Sequence, residues 1–290
     1  MSASLLTTTP LSLALAGLDL SDAAGTLLLG EPLFRAQLDL ARRWRIAAVQ
    51  LNAAAAGLRA RELSRTGRRD LAALLRRSDV ALSGGDLWIP PEHFIRPEHA
   101  DRAVAAVLDA IELLADLAQL NSTPSAPPLS LMLPANTPES IIQTIGDRAT
   151  TCGVPVADFT FTQTAPSPTG GSASTPPNPA KAPPSPDAPI GPGVDPAGIF
   201  MAGGDPIAFA ARLGASLRAA RLSDVSSAGR RAVGGPRSLG GRLDVQRYAI
   251  TLGAVTKVPF VTLDLRQVPD QLDAAPRAIS EWRGDGATTA

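Results

Sequence analysis

Short apolar runs of strand length alternate with longer segments of helical periodicity along most of this chain, and that alternation predicts a parallel sheet covered by helices. Leu11 to Leu20 reads as a first strand, and Glu31 to Trp44 as an amphipathic helix with Leu33, Phe34, Leu38 and Leu40 on its apolar face. Ile46 to Leu51 reads as the second strand, Arg61 to Arg77 as the second helix, and Val80 to Trp88 as the third strand. Pro97 to Leu120 is the clearest helix: proline opens it, Ala103, Val104, Val107, Leu108, Ile111, Leu114 and Leu117 repeat at helical spacing, and acids lie opposite. Leu129 to Leu133 is a fourth strand, Pro138 to Thr150 a helix and Val154 to Phe161 a fifth strand. Gly193 to Phe200, Leu217 to Leu222 and Pro259 to Leu265 read as strands six, seven and eight, with helices over Asp205 to Leu213 and Leu243 to Leu252 between them.

One stretch breaks the alternation. Residues 164–192 are rich in Pro, Ser and Gly and hold too few apolar groups to fold on themselves, which predicts a disordered insertion between strands five and six of one domain. Eight strand–helix repeats over 290 residues favour closure into a single (β/α)8 TIM barrel. An open doubly wound sheet would want a Gly-rich dinucleotide turn after strand one, and Ala16-Gly17-Leu18-Asp19 does not supply it.

Composition narrows the partners. Lys plus Arg and Asp plus Glu both number 27, so no global field draws the chain to nucleic acid or an anionic membrane. Hydrophobic residues make up 44% and aromatics only 4%, so Ala, Leu and Val must fill the core. The single cysteine, Cys152, excludes an intrachain disulfide and a cysteine-based zinc site, which fits a reducing, cytoplasmic setting. Leu11 to Gly17 has the apolarity of a short signal-peptide core, yet the first basic residue is Arg35, and a first strand is the expected reading. No apolar run reaches the length that spans a bilayer. Nothing in the pattern sets an oligomeric state.

The candidate chemistry gathers at strand ends, where barrel enzymes place catalytic groups and metal ligands. Asp195, Asp224 and Asp264 each close an apolar run. Asp195 precedes Pro196 and has a turn-forming role as its rival, whereas Asp264 has an internal ion pair with Arg266 as its rival; Asp224 is expected to cap the loop that follows it. That loop carries Arg230, Arg231, Arg237 and Arg242 among glycines and reads either as a phosphate cradle or as a solvated segment. Arg221 and Arg266 are the candidate substrate-binding cations. The only histidines, His93 and His99, lie after strand three, where Glu92 and His93 are candidate catalytic residues and packing in a Pro-rich loop is the competing role. No phosphate-binding Gly-Lys loop, nucleophile elbow or His-Glu-x-x-His motif is present, which removes nucleotide hydrolysis, serine hydrolase and metalloprotease chemistry.

The order of these motifs resembles the xylose-isomerase-like TIM barrels, the sugar phosphate isomerase/epimerase group that also includes endonuclease IV. The resemblance rests on Val49-Gln50-Leu51-Asn52, the segment Leu58 to Arg69, Gly193-Val194-Asp195-Pro196 and Leu263-Asp264, and it runs through most of residues 11–283. It implies a divalent metal held by two Glu, one Asp and one His at the barrel mouth, beside which a sugar is isomerised or epimerised by proton transfer. Asp195 matches the family aspartate, Asp264 stands where a glutamate is usual, and Asp158 is the nearest acid to the other glutamate. Ala219 and Arg221 occupy the places of a His-x-His pair, and Gly198 stands where an Asp-x-x-His pattern would have histidine.

These departures predict an eroded site. An aspartate is one methylene shorter than a glutamate, and an arginine beside the metal position repels a cation. Asp158, Asp195 and Asp264 are therefore the expected ligands of a Mg2+ or Mn2+ ion that binds weakly or not at all. The leading expectation is a sugar or sugar-phosphate isomerase/epimerase-like protein acting on a small carbohydrate. The alternative is a catalytically silent barrel, carbohydrate-binding or scaffold, that has lost its metal.

Overall fold

A computed structural model of the chain describes residues 9–21, 23–160, 184–234 and 241–284. Eight parallel strands close into a barrel: β1 (Leu11–Ala14), β2 (Ala48–Asn52), β3 (Ala81–Asp86), β4 (Leu129–Leu131), β5 (Val156–Asp158), β6 (Ile190–Val194), β7 (Ala219–Leu222) and β10 (Val261–Leu263). A two-stranded antiparallel hairpin, β8 (Asp224–Ser226) with β9 (Gly229–Arg231), follows β7 and stands outside the barrel sheet. The last barrel strand pairs with the first, Leu11 beside Val261 and Leu13 beside Leu263, which closes the ring and leaves no edge exposed.

Helices α1 (Gly30–Arg43), α2 (Arg65–Arg77), α3 (Pro97–Leu120), α4 (Glu139–Cys152), α5 (Pro196–Met201), α6 (Pro206–Leu213), α7 (Val245–Val255) and α8 (Gln271–Arg283) surround it. Their starts are written locally. Ser64 accepts a hydrogen bond from Gly67 N at the head of α2, Asp205 from Ile207 N at α6, and Asp244 from Arg247 N at α7. In α3, proline stands at N1 and Ala103, Val107, Ala110, Ile111, Leu114 and Leu117 are buried, one stripe of a 3.6-residue repeat.

Several boundaries differ from the sequence reading. The sixth strand is Ile190–Val194, and Pro196–Met201, read as its second half, is helix α5, because proline at N1 starts a helix as readily as it ends a strand. The end of the predicted insertion therefore belongs to the barrel: Ile190, Gly191 and Pro192 pair with Val156, Ala157 and Asp158. The remainder of that expectation, residues 164–183, lies outside the described residues. Strand one ends at Ala14, and Gly17 turns the chain at φ +71°. Helix α8 went unread, since Pro276 interrupts its sequence, yet Ala275, Ala278, Ile279 and Trp282 are buried at helical spacing. Trp282 donates from its indole N–H to the Thr9 carbonyl, so α8 anchors the entry to β1.

Strand parity decides what reaches the barrel axis, because alternate side chains point to opposite faces. Leu11, Leu13, Val49, Leu129, Val261 and Leu263 belong to the main apolar core shared with the helices. The intervening residues are small or polar and meet across the interior: Ser12 Oγ lies 2.9 Å from Thr262 Oγ1, and Gln50 Nε2 donates to Ser130 Oγ at 3.0 Å. Ala157, Phe159 and Ala219 form a separate small cluster in that interior set. Continued to the strand ends, the same parity carries Asp86, Asp195, Arg221 and Asp264 inward at the mouth.

Among the described residues, no helix is long and apolar enough to cross a membrane.

Candidate functional site

Three aspartates and three arginines meet at the mouth. Asp86 ends β3, Asp195 follows β6, Arg221 lies within β7, Asp264 and Arg266 follow β10, and Arg230 is delivered by the β8–β9 hairpin. Arg221 Nη2 donates to Asp86 Oδ1 at 2.8 Å, with its Nε 3.4 Å from Asp264 and its Nη1 4.0 Å from Asp195. Arg230 grips Asp195 with two donors, at 2.8 and 3.1 Å, and reaches Asp264 at 3.0 Å. Arg266 donates from Nε and Nη2 to Asp264 and from Nη1 to Asp86, the last at 2.9 Å. Each carboxylate thus serves at least two guanidiniums, and the six formal charges cancel.

Burial makes this network consequential. The Asp264 side chain is 0% exposed, and Arg266, the most accessible of the six, is only 22% exposed. Burial pushes the Asp264 carboxyl up, but Arg221, Arg230 and Arg266 outweigh it and hold the group far below the usual carboxylate range. The Asp195 carboxyl follows the same balance, raised by burial and lowered further by Arg230 and Arg221. Burial lowers Arg221, whereas the carboxylates raise Arg230 and Arg266 despite burial; all three remain guanidinium ions at neutral pH.

The surroundings hold each group in place. The Arg221 guanidinium carbon sits 3.8 Å above the Phe159 ring, an arrangement favoured by the ring quadrupole. Phe159 in turn fills the space that a side chain at position 193 would need: a Cβ on Gly193 would meet the ring at 2.7 Å. Likewise a Cβ on Gly17 would strike Arg266 Cγ at 2.5 Å, so two glycines admit the cluster's supports. Ser223 Oγ donates to Asp195 at 2.6 Å, and the buried Tyr248 hydroxyl donates to the Arg221 carbonyl at 3.2 Å.

The sequence-predicted site residues divide accordingly. Asp195, Asp264, Arg221 and Arg266 are brought together, and the Asp264–Arg266 pair foreseen as a rival to metal ligation is present. Asp158 is not part of the group. It lies one residue out of phase with Phe159, and its Oδ1 accepts from Leu133 N, Thr160 N and Thr160 Oγ1. Burial outweighs these hydrogen bonds and raises its pKa. Glu92 and His93 sit on a 3-10 turn over Pro91–Phe94, where Glu92 is exposed and the His93 ring lies against His99, centroids 4.5 Å apart. No ion pair joins either residue to the cluster among the described residues.

Asp224 caps its loop as expected, accepting from the backbone N–H of Val225, Arg242 and Leu243 at 2.8, 3.0 and 3.0 Å. Asp86 was missed, although Ser83-Gly84-Gly85-Asp86 carries the same signal as the other strand ends, a run closing on an acid. Arg230 was seen only as one of several loop arginines.

A divalent cation does not fit these residues as they stand. Mg2+ and Mn2+ need several free oxygen donors, and the inward carboxylates here are committed to guanidiniums. Among the described residues, no three His, Cys, Asp or Glu side chains are grouped so as to hold a metal.

Trp88, on the loop between β3 and α3 at this end of the barrel, is 60% exposed.

No family profile matches the chain, and no curated protein matches it by sequence. Solved structures do. The chain is similar to a xylose isomerase domain protein from Planctomyces limnophilus, at 13% identity and a TM-score of 0.58, over 96% of this chain and 95% of that one. A xylose isomerase-like TIM barrel protein from Mycobacterium smegmatis, in complex with magnesium, matches at 13% identity and a TM-score of 0.56 over 96% of each chain. A probable 3-DHS dehydratase, AsbF, involved in petrobactin synthesis in Bacillus anthracis, matches at 13% identity and a TM-score of 0.55, over 93% of this chain and 97% of that one. With its closed ring of eight parallel strands, the chain has the fold of the xylose-isomerase-like TIM barrels.

Proposed function

We propose that this chain is a catalytically silent barrel that binds a small neutral carbohydrate at its mouth and carries out no metal-assisted proton transfer. The observation that carries this reading is the charge-closed cluster. Asp86, Asp195 and Asp264 are engaged by Arg221, Arg230 and Arg266, so none of these three inward carboxylates is left to act as base or metal ligand. The same closure disfavours a sugar phosphate, since a phosphate needs a guanidinium or ammonium whose charge is not already met. Trp88 supplies what a neutral sugar uses, an exposed ring on which a sugar face can stack. The fold's solved neighbours, a dehydratase and xylose isomerase-like proteins among them, support a sugar-processing ancestry.

A second reading, a sugar or sugar-phosphate isomerase/epimerase, draws on the magnesium complex of one neighbour and on acids at the ends of β6 and β10. Two assays separate the readings. Titration of neutral monosaccharides and their phosphates, followed by tryptophan fluorescence, should show saturable binding of a neutral sugar that Trp88→Ala abolishes. Isomerase and epimerase assays with added Mg2+ or Mn2+ should show no turnover. Metal-dependent turnover lost in Asp195→Ala would establish the second reading.

A further inference from the structure

We infer that the cleft between the C-terminal ends of α1 and α8 binds the phosphate monoester of a small organic molecule. The helices begin at the mouth and end at the opposite face, so this cleft lies across the barrel from the acid–guanidinium cluster and is independent of the reading of the mouth. It encloses about 280 Å3, and Arg43, Arg45 and Arg283 line it together with Trp44, Pro276 and Ile279. No Asp or Glu lines it. The neighbouring Arg42 pairs with Asp39 at 3.8 Å, but among the described residues no ion pair reaches Arg43, Arg45 or Arg283.

Cations at a helix C-terminus ordinarily serve its last carbonyls, and one of the three does so. Arg283 Nη2 donates to the Arg45 carbonyl at 2.7 Å and to the Trp44 carbonyl at 3.4 Å. The end of α1 is otherwise closed by its own backbone, with Arg45 N donating to Arg42 O and Ile46 N to Ala41 O. The Arg43 and Arg45 guanidiniums are therefore surplus to helix capping. Arg45 also stands at φ +54°, where the turn favours glycine, so a guanidinium is placed here against the backbone's preference. Three like charges with no acid between them repel one another, and an anion relieves the repulsion. A phosphate monoester brings close to two negative charges and three acceptor oxygens, which guanidinium forks meet with paired N–H donors. The mouth fails this condition because its guanidiniums are already matched. The half-buried Trp44 ring, with Pro276 and Ile279, offers apolar surface to the organic part, which favours an ester over inorganic phosphate. The cleft's volume lies at the low end of ligand pockets, so the organic part is small.

The test is calorimetric titration of the full chain with phenyl phosphate, inorganic phosphate and phenol. Phenyl phosphate should saturate one site per chain, inorganic phosphate should bind at least about tenfold more weakly, and phenol should give no measurable heat. Arg43→Gln/Arg45→Gly should weaken phenyl phosphate at least about tenfold, and this variant keeps its fold because glycine suits the turn at position 45. Arg61→Gln/Arg65→Gln makes the same charge change with exposed arginines at the start of α2 and should leave binding unchanged. Absence of saturable binding, equal losses in the two variants, or inorganic phosphate bound as tightly as the ester overturns the inference. Sedimentation with vesicles containing phosphatidic acid separates a free ester from a lipid headgroup. Vesicle binding that Arg43→Gln/Arg45→Gly abolishes, without uptake of phenyl phosphate, assigns the arginines to a membrane surface and overturns the small-molecule site.

Discussion

Asp264→Asn is the sharpest perturbation of the cluster, because it keeps shape and removes one charge. Asp264 is fully buried and meets three arginines: Nε and Nη2 of Arg266, Nη2 of Arg230 at 3.0 Å, and Arg221 at 3.4 Å. Neutralising it leaves three guanidiniums against two carboxylates and turns an amide N–H2 toward donors that have no use for it. Breaking a buried ion pair by removing one partner typically destabilises by about 3–5 kcal/mol, far more than the pair's net contribution over an apolar replacement. For a chain of this size that corresponds to a fall in the thermal midpoint of roughly 5–8 °C. Thermal and urea unfolding of native and variant protein measure it directly, with m unchanged as the check that only stability moved. A loss below about 1 kcal/mol, the value of an exposed pair, would refute the picture of a desolvated, mutually dependent cluster.

Three further outcomes are expected. The Asp264 and Asp195 carboxyls are lowered on folding, so their contribution is complete above the unfolded value of about 3.9 and is lost as pH falls through their folded values; urea midpoints should drop below about pH 4, and Asp264→Asn should flatten that decline. Gly193→Ala should push the Phe159 ring, met at 2.7 Å, against Arg221 and destabilise by about 1–3 kcal/mol, whereas a variant as stable as native protein would show that the ring moves freely. Tyr248→Phe removes the donor to the Arg221 carbonyl and should lower stability by about 0.5–1.5 kcal/mol in urea titrations, a loss that vanishes if that carbonyl finds another partner.

The barrel was readable because its signals are local and repeated. Apolar strands and the buried stripe of α3 announce themselves within a few residues, and the acids at Asp195 and Asp264 mark the mouth end. What was unreadable depends on phase and on distance along the chain. Asp158 and Phe159 are adjacent, and only the register of β5 decides that the ring, and not the acid, faces the axis. Arg230 acquires its role from a hairpin that places it over acids 34 and 35 residues away, a geometry that a Gly- and Arg-rich composition does not disclose. In β6, Gly191 and Gly193 give way to Arg218 and Phe159, so the sequence resembles a turn where the barrel needs a strand.

The account's central claim is that guanidiniums, and not a metal, balance the carboxylates at this mouth. Elemental analysis of purified full-length protein tests it most directly. The account predicts no Mg, Mn or Zn approaching one equivalent per chain. A stoichiometric metal that disappears on Asp195→Ala and Asp264→Ala would contradict it.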